Sequence, residues 1–323
     1  MTGVKCINKR KIFKVIGLIL ISAVLTACTT RPEQIAAFEN QHFNKTIYRG
    51  PLFAANLCVA AADVPMDGFF MNESVHAGGL FDVKNKAVLY AHNMFERLYP
   101  ASTTKIMTAY IALKYGSLDD IVTVSERAVD FDYSAQLCGI NAGDQISLYS
   151  LLCGLLLYSG NDNAVAIAEH ISGSVEAFAE LMNQEAHAMG ATQSHFVNPH
   201  GLHDENQYTT AYDLYLMFNA CTRDQRFIDI ISMKSYAGTL IDAAGVERSF
   251  EWLPTNYYSL GISAPPEGIQ VLGGKTGTTD EAGSCVILYN MDLNNNPYIS
   301  VIMGAPDKDV LYDNMSEMLF VFQ

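Results

Sequence analysis

The stretch YPASTTKIMTA, residues 99–109, places Ser102 and Lys105 three positions apart at the start of a predicted helix. Side chains at this spacing lie on the same helix face, one above the other. The N-terminal end of a helix, with its free N–H groups and its dipole, favours negative charge. A serine hydroxyl needs a base to take its proton, and a lysine amine can act as that base when burial or a nearby cation lowers its pKa. The spacing therefore predicts a serine nucleophile activated by a lysine.

Two further motifs follow in order, SGN at residues 159–161 and KTG at residues 275–277, and each of the three motifs occurs once in the chain. The first follows an apolar run, so Ser159 and Asn161 are expected at the tip of a buried helix, where a hydroxyl can relay a proton and an amide can bind a peptide group. The second continues a predicted strand whose edge suits an extended peptide, and its glycine lets another backbone approach closely. Lys275 would attract a carboxylate and lower the pKa of Lys105.

Each motif also has a purely structural interpretation when it is taken alone. Ser102 could cap a helix, the SGN motif could be a turn between helices, and the KTG motif could be an edge strand blunted by lysine and glycine. The three motifs in this order instead favour a serine acyl-transfer site that uses lysine in place of histidine.

The order of predicted elements favours an α+β fold, in which a helical block of about residues 108–230 is inserted into an antiparallel sheet. Alternating and apolar patterns, with glycine and asparagine at the turns, define these elements. They are a hairpin at 79–90, helices at 103–115, 148–158, 162–171, 175–189 and 209–220, strands at 270–273, 284–289 and 298–303, and a final helix at 310–322.

The motifs and their flanks resemble the penicillin-binding protein and serine β-lactamase superfamily, and within it the low-molecular-weight D-alanyl-D-alanine carboxypeptidases. The resemblance covers about residues 75–323 and implies the β-lactamase/transpeptidase-like fold, an antiparallel sheet flanked by helices with an inserted helical subdomain. The matching stretches are YPASTTKIMTA at 99–109, SGND at 159–162, FVNPHGL at 196–202, TTAYDL at 209–214 and GKTG at 274–277.

The resemblance also implies a role for each motif residue, without a cofactor or a metal. Ser102 would be the acylated nucleophile, Lys105 its general base, and Ser159 the relay that delivers a proton to the leaving D-alanine. The backbone N–H groups of Ser102 and Thr278 would form the oxyanion hole. The substrates would be peptidoglycan stem peptides, and β-lactam antibiotics would be inhibitors. The implied substrate-binding residues are Asn161, Lys275, Thr276, Gly277 and Thr278.

The N-terminus predicts export and a lipid anchor. Five basic residues precede the uncharged run Val15–Ala27, whose 13 residues are too few for a spanning helix and suit a signal peptide. The run ends in Leu25-Thr26-Ala27-Cys28, which resembles a bacterial lipobox, so Cys28 would carry the lipid; an ordinary signal peptide and an uncleaved anchor are the alternatives. We therefore expect a signal peptide at 1–27, a tether and lead-in at 28–70, and the catalytic domain at 71–323, lipid-anchored at the outer face of the bacterial cell membrane. Because the sequence ends soon after the last predicted helix, we expect no extra C-terminal β-domain of the kind that many members of this family have.

Charge and cysteine content narrow the function further. The net charge of −14 includes the five positive charges of the leader, so the remainder carries −19, which argues against nucleic-acid binding. After Cys6 and Cys28, five cysteines remain without a C-x-x-C spacing, an odd number that leaves at least one unpaired within a single chain. They are Cys58, Cys138, Cys153, Cys221 and Cys285.

Three alternative functions use the same motif residues differently, and a fourth uses other residues. A D,D-endopeptidase would use the same chemistry on cross-links, and a β-lactam-binding sensor would stay acylated. A weak β-lactamase is a third, although the E-x-x-x-N pattern that class A β-lactamases use to activate water does not occur after Asn161. A zinc peptidase is the fourth, because histidine and carboxylate suit zinc, but the spacing of its candidate ligands matches no common zinc motif. Those candidates are His195, His200, His203 and Asp204.

Overall fold

The computed structural model describes residues 53–320. In this part of the chain the strands are β1 (Ala77–Asp82), β2 (Ala87–His92), β3 (Ile121–Thr123), β4 (Gln145–Ser147), β5 (Tyr236–Ile241), β6 (Glu247–Trp252), β7 (Ile269–Thr279), β8 (Gly283–Asp292) and β9 (Pro297–Ala305). The α-helices are α1 (Lys105–Tyr115), α2 (Leu148–Cys153), α3 (Asn161–Ser172), α4 (Val175–Ala188), α5 (Ala211–Cys221), α6 (Gln225–Ile231), α7 (Tyr257–Leu260) and α8 (Lys308–Leu319).

The main sheet has five antiparallel strands in the order β2-β1-β9-β8-β7. Helix α8 packs on one face of β8 and β9, and helix α5 packs on the other. Because both faces are covered, β8 and β9 are almost continuously apolar and buried instead of alternating. Strand β7, which carries the KTG motif, lies at one edge of this sheet.

Helix α1 lies at the centre of the helical block, where it packs against α3, α4 and α5. Eight of its eleven residues are buried, from Lys105 to Leu113. A helix that is apolar nearly all round belongs inside a fold, and this placement puts the first motif in the interior. The predicted insertion of a helical block between the sheet strands is confirmed.

A second sheet of four strands, in the order β3-β4-β5-β6, was not predicted from the sequence. Strands β3 and β4 have only three residues each, which is too short for a period-two pattern to show. At the end of β6, the buried Trp252 donates a hydrogen bond from Nε1 to the carbonyl oxygen of Cys138 at 3.2 Å. The second sheet thereby supports the loop that contains Cys138.

Several predicted helix boundaries differ from those in the structure by one or more residues. The helix predicted at 148–158 is α-helical only to Cys153, and it continues as a π-helical turn over Gly154–Tyr158 that ends at the left-handed Ser159. The final helix begins at Lys308, two residues early, because Asp307 caps it by accepting a hydrogen bond from the N–H of Val310 at 2.8 Å.

The chain before residue 71 contributes to the packing of the domain. The N–H of the buried Cys58 donates to the hydroxyl oxygen of Tyr215 at 2.8 Å, and the ring of Phe69 packs edge-on against Tyr90. The predicted signal peptide and the lipidation site Cys28 lie outside the described residues. Within residues 53–320, every cysteine is a free thiol and no helix has the length and apolarity needed to span a membrane.

Candidate active site

Ser102 lies in a short 3₁₀ turn, Ala101–Thr104, that leads into α1. Two side-chain hydrogen bonds close this turn: Thr103 Oγ1 donates to the Pro100 carbonyl at 2.5 Å, and Thr104 Oγ1 donates to the Ala101 carbonyl at 2.8 Å. Ala101 has a φ of 45°, a left-handed value that costs a non-glycine residue free energy and is held by its surroundings. The contacts that hold this turn fix Ser102 just before the N-terminal end of α1.

Lys105 is fully buried and its Nζ contacts three oxygen atoms. Nζ donates to Ser102 Oγ at 3.0 Å, to Asn161 Oδ1 at 2.7 Å and to the His200 carbonyl oxygen at 2.6 Å. Burial lowers the pKa of Lys105 well below its ordinary value, and the charge of Lys275 lowers it further. A neutral amine at this position can accept the proton of Ser102 across the same short distance.

The second motif forms the turn that joins the π-helical turn to α3. Ser159 has φ 68° and ψ 31°, and Asn161 begins α3. A Cβ on Gly160 would lie 2.5 Å from Cys138 Sγ, so only glycine fits there without displacing that thiol. The turn directs the oxygen atoms of Ser159 and Asn161 towards the two lysines.

Lys275 of β7 is buried and reaches across to this turn. Its Nζ donates to Ser159 Oγ at 2.9 Å and to the carbonyl oxygen of Thr276 at 2.8 Å. Burial lowers the pKa of Lys275 to about 7, so near neutral pH its charge is only partly present. The predicted effect of this lysine on the pKa of Lys105 is present in the structure.

Gly277 lies directly against the turn that carries the serine. A Cβ at this position would lie 2.8 Å from Ser102 N and 3.0 Å from both Thr103 N and Ala101 Cβ. The absence of a side chain therefore lets β7 approach Ser102 closely, as the sequence predicts. The next residue, Thr278, is exposed. Its backbone pairing with Ser284 of β8 fixes it in the strand.

The structure brings Ser102, Lys105, Ser159, Asn161 and Lys275 together through direct hydrogen bonds. Two partners were not predicted from the sequence. The Thr255 hydroxyl lies 2.6 Å from that of Thr276. The other partner is the His200 carbonyl, which binds Lys105. A backbone carbonyl carries no signature of residue type, so only the FVNPHGL stretch could have indicated that this segment borders the site.

Each of the four candidate zinc ligands has a partner outside this set, and Asp204 Oδ1 accepts a hydrogen bond from the N–H of Asn206 at 2.8 Å. His195 Nδ1 lies 2.6 Å from the Asn206 carbonyl, and His203 Nδ1 lies 3.9 Å from Glu281. His200 Nδ1 accepts a hydrogen bond from the N–H of Leu202, and burial lowers the pKa of this histidine to about 3. Within residues 53–320, no three His, Cys, Asp or Glu side chains are grouped so that they could hold a metal ion.

Comparison with known proteins identifies relatives over most of the chain. A family model described as D-alanyl-D-alanine carboxypeptidase matches residues 73–307. The D-alanyl-D-alanine carboxypeptidase DacA of Haemophilus influenzae is 37% identical over 235 residues, which are 70% of this chain and 56% of the relative. DacF of Bacillus subtilis is 32% identical over 255 residues, 76% of this chain and 62% of the relative. The chain thus spans about three fifths of the length of these curated relatives.

Solved structures confirm the predicted fold. Penicillin binding protein 5 from Haemophilus influenzae superimposes with a TM-score of 0.67 at 32% identity, over 78% of this chain and 72% of that chain. The DD-transpeptidase of Streptomyces K15 has a TM-score of 0.71 at 23% identity, over 80% of this chain and 98% of that chain. At 23% identity, the similarity to the Streptomyces K15 structure shows the fold alone.

Proposed function

Because the chain belongs to the D-alanyl-D-alanine carboxypeptidase family, we propose that it is a serine D,D-carboxypeptidase that removes the terminal D-alanine from peptidoglycan stem peptides. The observation that supports this proposal most strongly is the paired contact of two buried lysines with two serines. Lys105 Nζ lies 3.0 Å from Ser102 Oγ, and Lys275 Nζ lies 2.9 Å from Ser159 Oγ. One pair suits nucleophile activation, and the other suits substrate recognition and proton delivery.

In the proposed acylation step, the neutral amine of Lys105 takes the proton of Ser102 as Oγ attacks the carbonyl carbon of the penultimate D-alanine. The N–H groups of Ser102 and Thr278 would stabilise the resulting oxyanion. The C–N bond then breaks, and the hydroxyl of Ser159 relays to the leaving amine the proton that Lys105 took from Ser102, so that Lys105 is neutral again. The products of this step are free D-alanine and an ester on Ser102.

In the proposed deacylation step, a water molecule attacks the ester carbonyl while Lys105 takes one of its protons. The C–O bond to Ser102 breaks, and the proton returns to Oγ through the same short contact. The shortened peptide leaves with a free carboxylate, and the enzyme regains its starting protonation state. No cofactor is needed for either step.

We propose that the substrate binds as an added strand on the free edge of β7. The terminal carboxylate would contact Lys275 and the hydroxyl of Thr276, and the amide of Asn161 would hold a substrate peptide group. The bound peptide would run antiparallel to β7, so that its scissile carbonyl comes opposite Thr278 and the rest of the peptide extends past the C-terminal end of β7.

The experiment that tests this function measures D-alanine released from a peptide ending in D-Ala-D-Ala. We expect one D-alanine per peptide with the wild type and none with Ser102→Ala. A cross-linked muropeptide dimer and nitrocefin serve as parallel substrates. Cleavage of the dimer without D-alanine release would assign an endopeptidase, and rapid nitrocefin hydrolysis would assign a β-lactamase. Lasting acylation by penicillin without peptide turnover would assign a sensor.

We also propose that Cys28 carries a lipid that holds the enzyme at the outer face of the bacterial cell membrane. The basic leader and the Leu25–Cys28 sequence support this proposal. Expression with a labelled fatty acid tests it. We expect label on the wild type and on Cys6→Ser, but not on Cys28→Ser; label on Cys28→Ser would contradict the assignment.

A further inference from the structure

Asp162 directly follows the SGN motif, and its buried carboxylate binds a row of backbone N–H groups. Oδ1 accepts from Cys138 N and Asn163 N, each at 2.9 Å. Oδ2 accepts from Gly139 N at 2.9 Å and Ile140 N at 3.4 Å. One carboxylate therefore joins the start of α3 to the loop of residues 136–140, and bonds to an ionised acceptor are about twice as strong as neutral ones.

Two further contacts hold the same loop against the SGN turn. The N–H of Asn161 donates to the Gln136 carbonyl at 2.8 Å, and Trp252 binds the Cys138 carbonyl from the second sheet. The thiol of Cys138 fills the space beside Gly160. The SGN turn is therefore clamped between the loop and α3, and Asp162 is the charged member of the clamp.

These contacts are needed to hold the SGN turn because its backbone is strained. Ser159 has a positive φ of 68°, which a serine adopts only when surrounding contacts hold it there. This conformation determines where Ser159 Oγ meets Lys275 and where Asn161 Oδ1 meets Lys105. A shift of the turn would displace the hydrogen-bond partners of both lysines.

We propose that Asp162 is a positioning residue for the acyl-transfer reaction: its carboxylate fixes the SGN turn against the loop of residues 136–140 and thereby sets the partners of Lys105 and Lys275. This inference rests on the proposed function. Asp162 does not touch Ser102 and acts through its neighbours.

The charge of Asp162 also affects the pKa of Lys105, which a pH profile of acylation can measure. The titratable groups that face Lys105 are Lys275, Cys138, His200 and Asp162. Burial and Lys275 lower the pKa of Lys105, whereas Asp162 opposes them and raises it. Burial raises the pKa of the Cys138 thiol and lowers that of His200, so neither is charged near neutral pH. Burial raises the pKa of Asp162 itself, and the backbone N–H groups that it binds oppose this rise. The ionised carboxylate limits how far the pKa of Lys105 falls.

Acylation of Ser102 by benzylpenicillin, followed from pH 4 to pH 9, tests the proposal. In Asp162→Asn, an amide NH₂ faces backbone donors and the charge is lost. We expect its acylation rate to fall by about 10- to 100-fold, as for other small misplacements near a reacting centre. We also expect the midpoint of the acidic limb to move to lower pH, because Lys105 loses a stabilising anion. In Asp162→Glu the charge remains but is displaced, so the rate should fall while the midpoint stays near that of the wild type.

The matched control is Asp144→Asn. Asp144 is also buried, accepts from the N–H of Asn141 at 2.7 Å and pairs with Arg248 beyond the same loop. We expect this variant to melt at a lower temperature without moving the pH midpoint. The inference is overturned if Asp162→Asn and Asp162→Glu acylate like the wild type, or if Asp144→Asn reproduces the midpoint shift. A wild-type protein that penicillin does not acylate would instead refute the proposed function.

Discussion

Lys275 Nζ donates a hydrogen bond to Ser159 Oγ at 2.9 Å, and this contact joins the edge strand of the main sheet to the helical block. The two residues are 116 positions apart in sequence and both are buried. The site is therefore complete only when β7 docks on the SGN turn. Its chemistry depends on the relative position of the sheet and the helices.

Replacement of Lys275 tests the proposed recognition of the substrate carboxylate. Lys275→Met keeps the length of the side chain but removes the charge and the donor to Ser159. We expect kcat/KM for a peptide ending in D-Ala-D-Ala to fall by about 100-fold or more, as for other broken buried polar pairs. The same peptide with a C-terminal amide is the control substrate. For Lys275→Met we expect nearly equal kcat/KM values for the two peptides. A higher kcat/KM for the peptide with the free carboxylate would contradict this role of Lys275.

Replacement of Lys105 tests the general base. Lys105→Ala should slow acylation of Ser102 by about 10²- to 10⁴-fold, the usual contribution of a positioned base. Lys114→Ala is the control, because Lys114 lies in the last turn of the same helix and pairs with Glu185 at 2.6 Å on the surface side. Stopped-flow measurement with a chromogenic β-lactam compares them. Equal acylation rates for Lys105→Ala and the wild type would exclude Lys105 as the base.

The lowered pKa of Lys275 predicts a pH dependence of stability. An unfolded lysine has its ordinary pKa of 10.5, whereas Lys275 in the folded protein titrates at about 7. Between these values the unfolded chain binds more protons, so the free energy of unfolding should rise with pH. Below about pH 7 both states are protonated and this contribution is flat. Urea titrations at pH 7, 8 and 9 should show a smaller rise for Lys275→Met; an identical rise would show that Lys275 keeps its ordinary pKa.

The close approach of β7 predicts that Gly277→Ala damages the site more than the fold. The new Cβ would lie 2.8 Å from Ser102 N and would push the strand away from the serine. We expect a large loss of penicillin acylation together with a measurable loss of stability. Gly245→Ala is the control, since Gly245 has a φ of +82° that strains any side chain, whereas an added Cβ there meets nothing within 4 Å. That control should lower stability only. Normal acylation by Gly277→Ala would contradict the packing argument.

The sequence predicted the helices and strands that carry the motifs because each has a long periodic or apolar pattern. It also predicted that β7 is an edge strand and that burial or a nearby cation lowers the pKa of Lys105. It did not predict the second sheet, whose three-residue strands β3 and β4 fall below the length at which a pattern is detectable. The left-handed backbone at Ser159 and the His200 carbonyl contact are set by tertiary packing, and no residue type in the chain signals them.

The contacts of Asp162 were also not predicted from the sequence. In the sequence Asp162 is only the last residue of the matching SGND stretch at 159–162. Its carboxylate instead binds N–H groups of residues 138–140, more than twenty positions earlier. A bond to backbone N–H groups of a distant loop depends on how the loop folds back, which local propensity does not encode.

The central claim is that Ser102 is the nucleophile of an acyl-transfer site. Intact-mass measurement after benzylpenicillin treatment, followed by peptide mapping, tests it most directly. We expect one adduct per chain, located on the peptide that contains Ser102, and no adduct on Ser102→Ala. An adduct on Ser159 or on any other residue, or an unmodified wild-type protein, would contradict it.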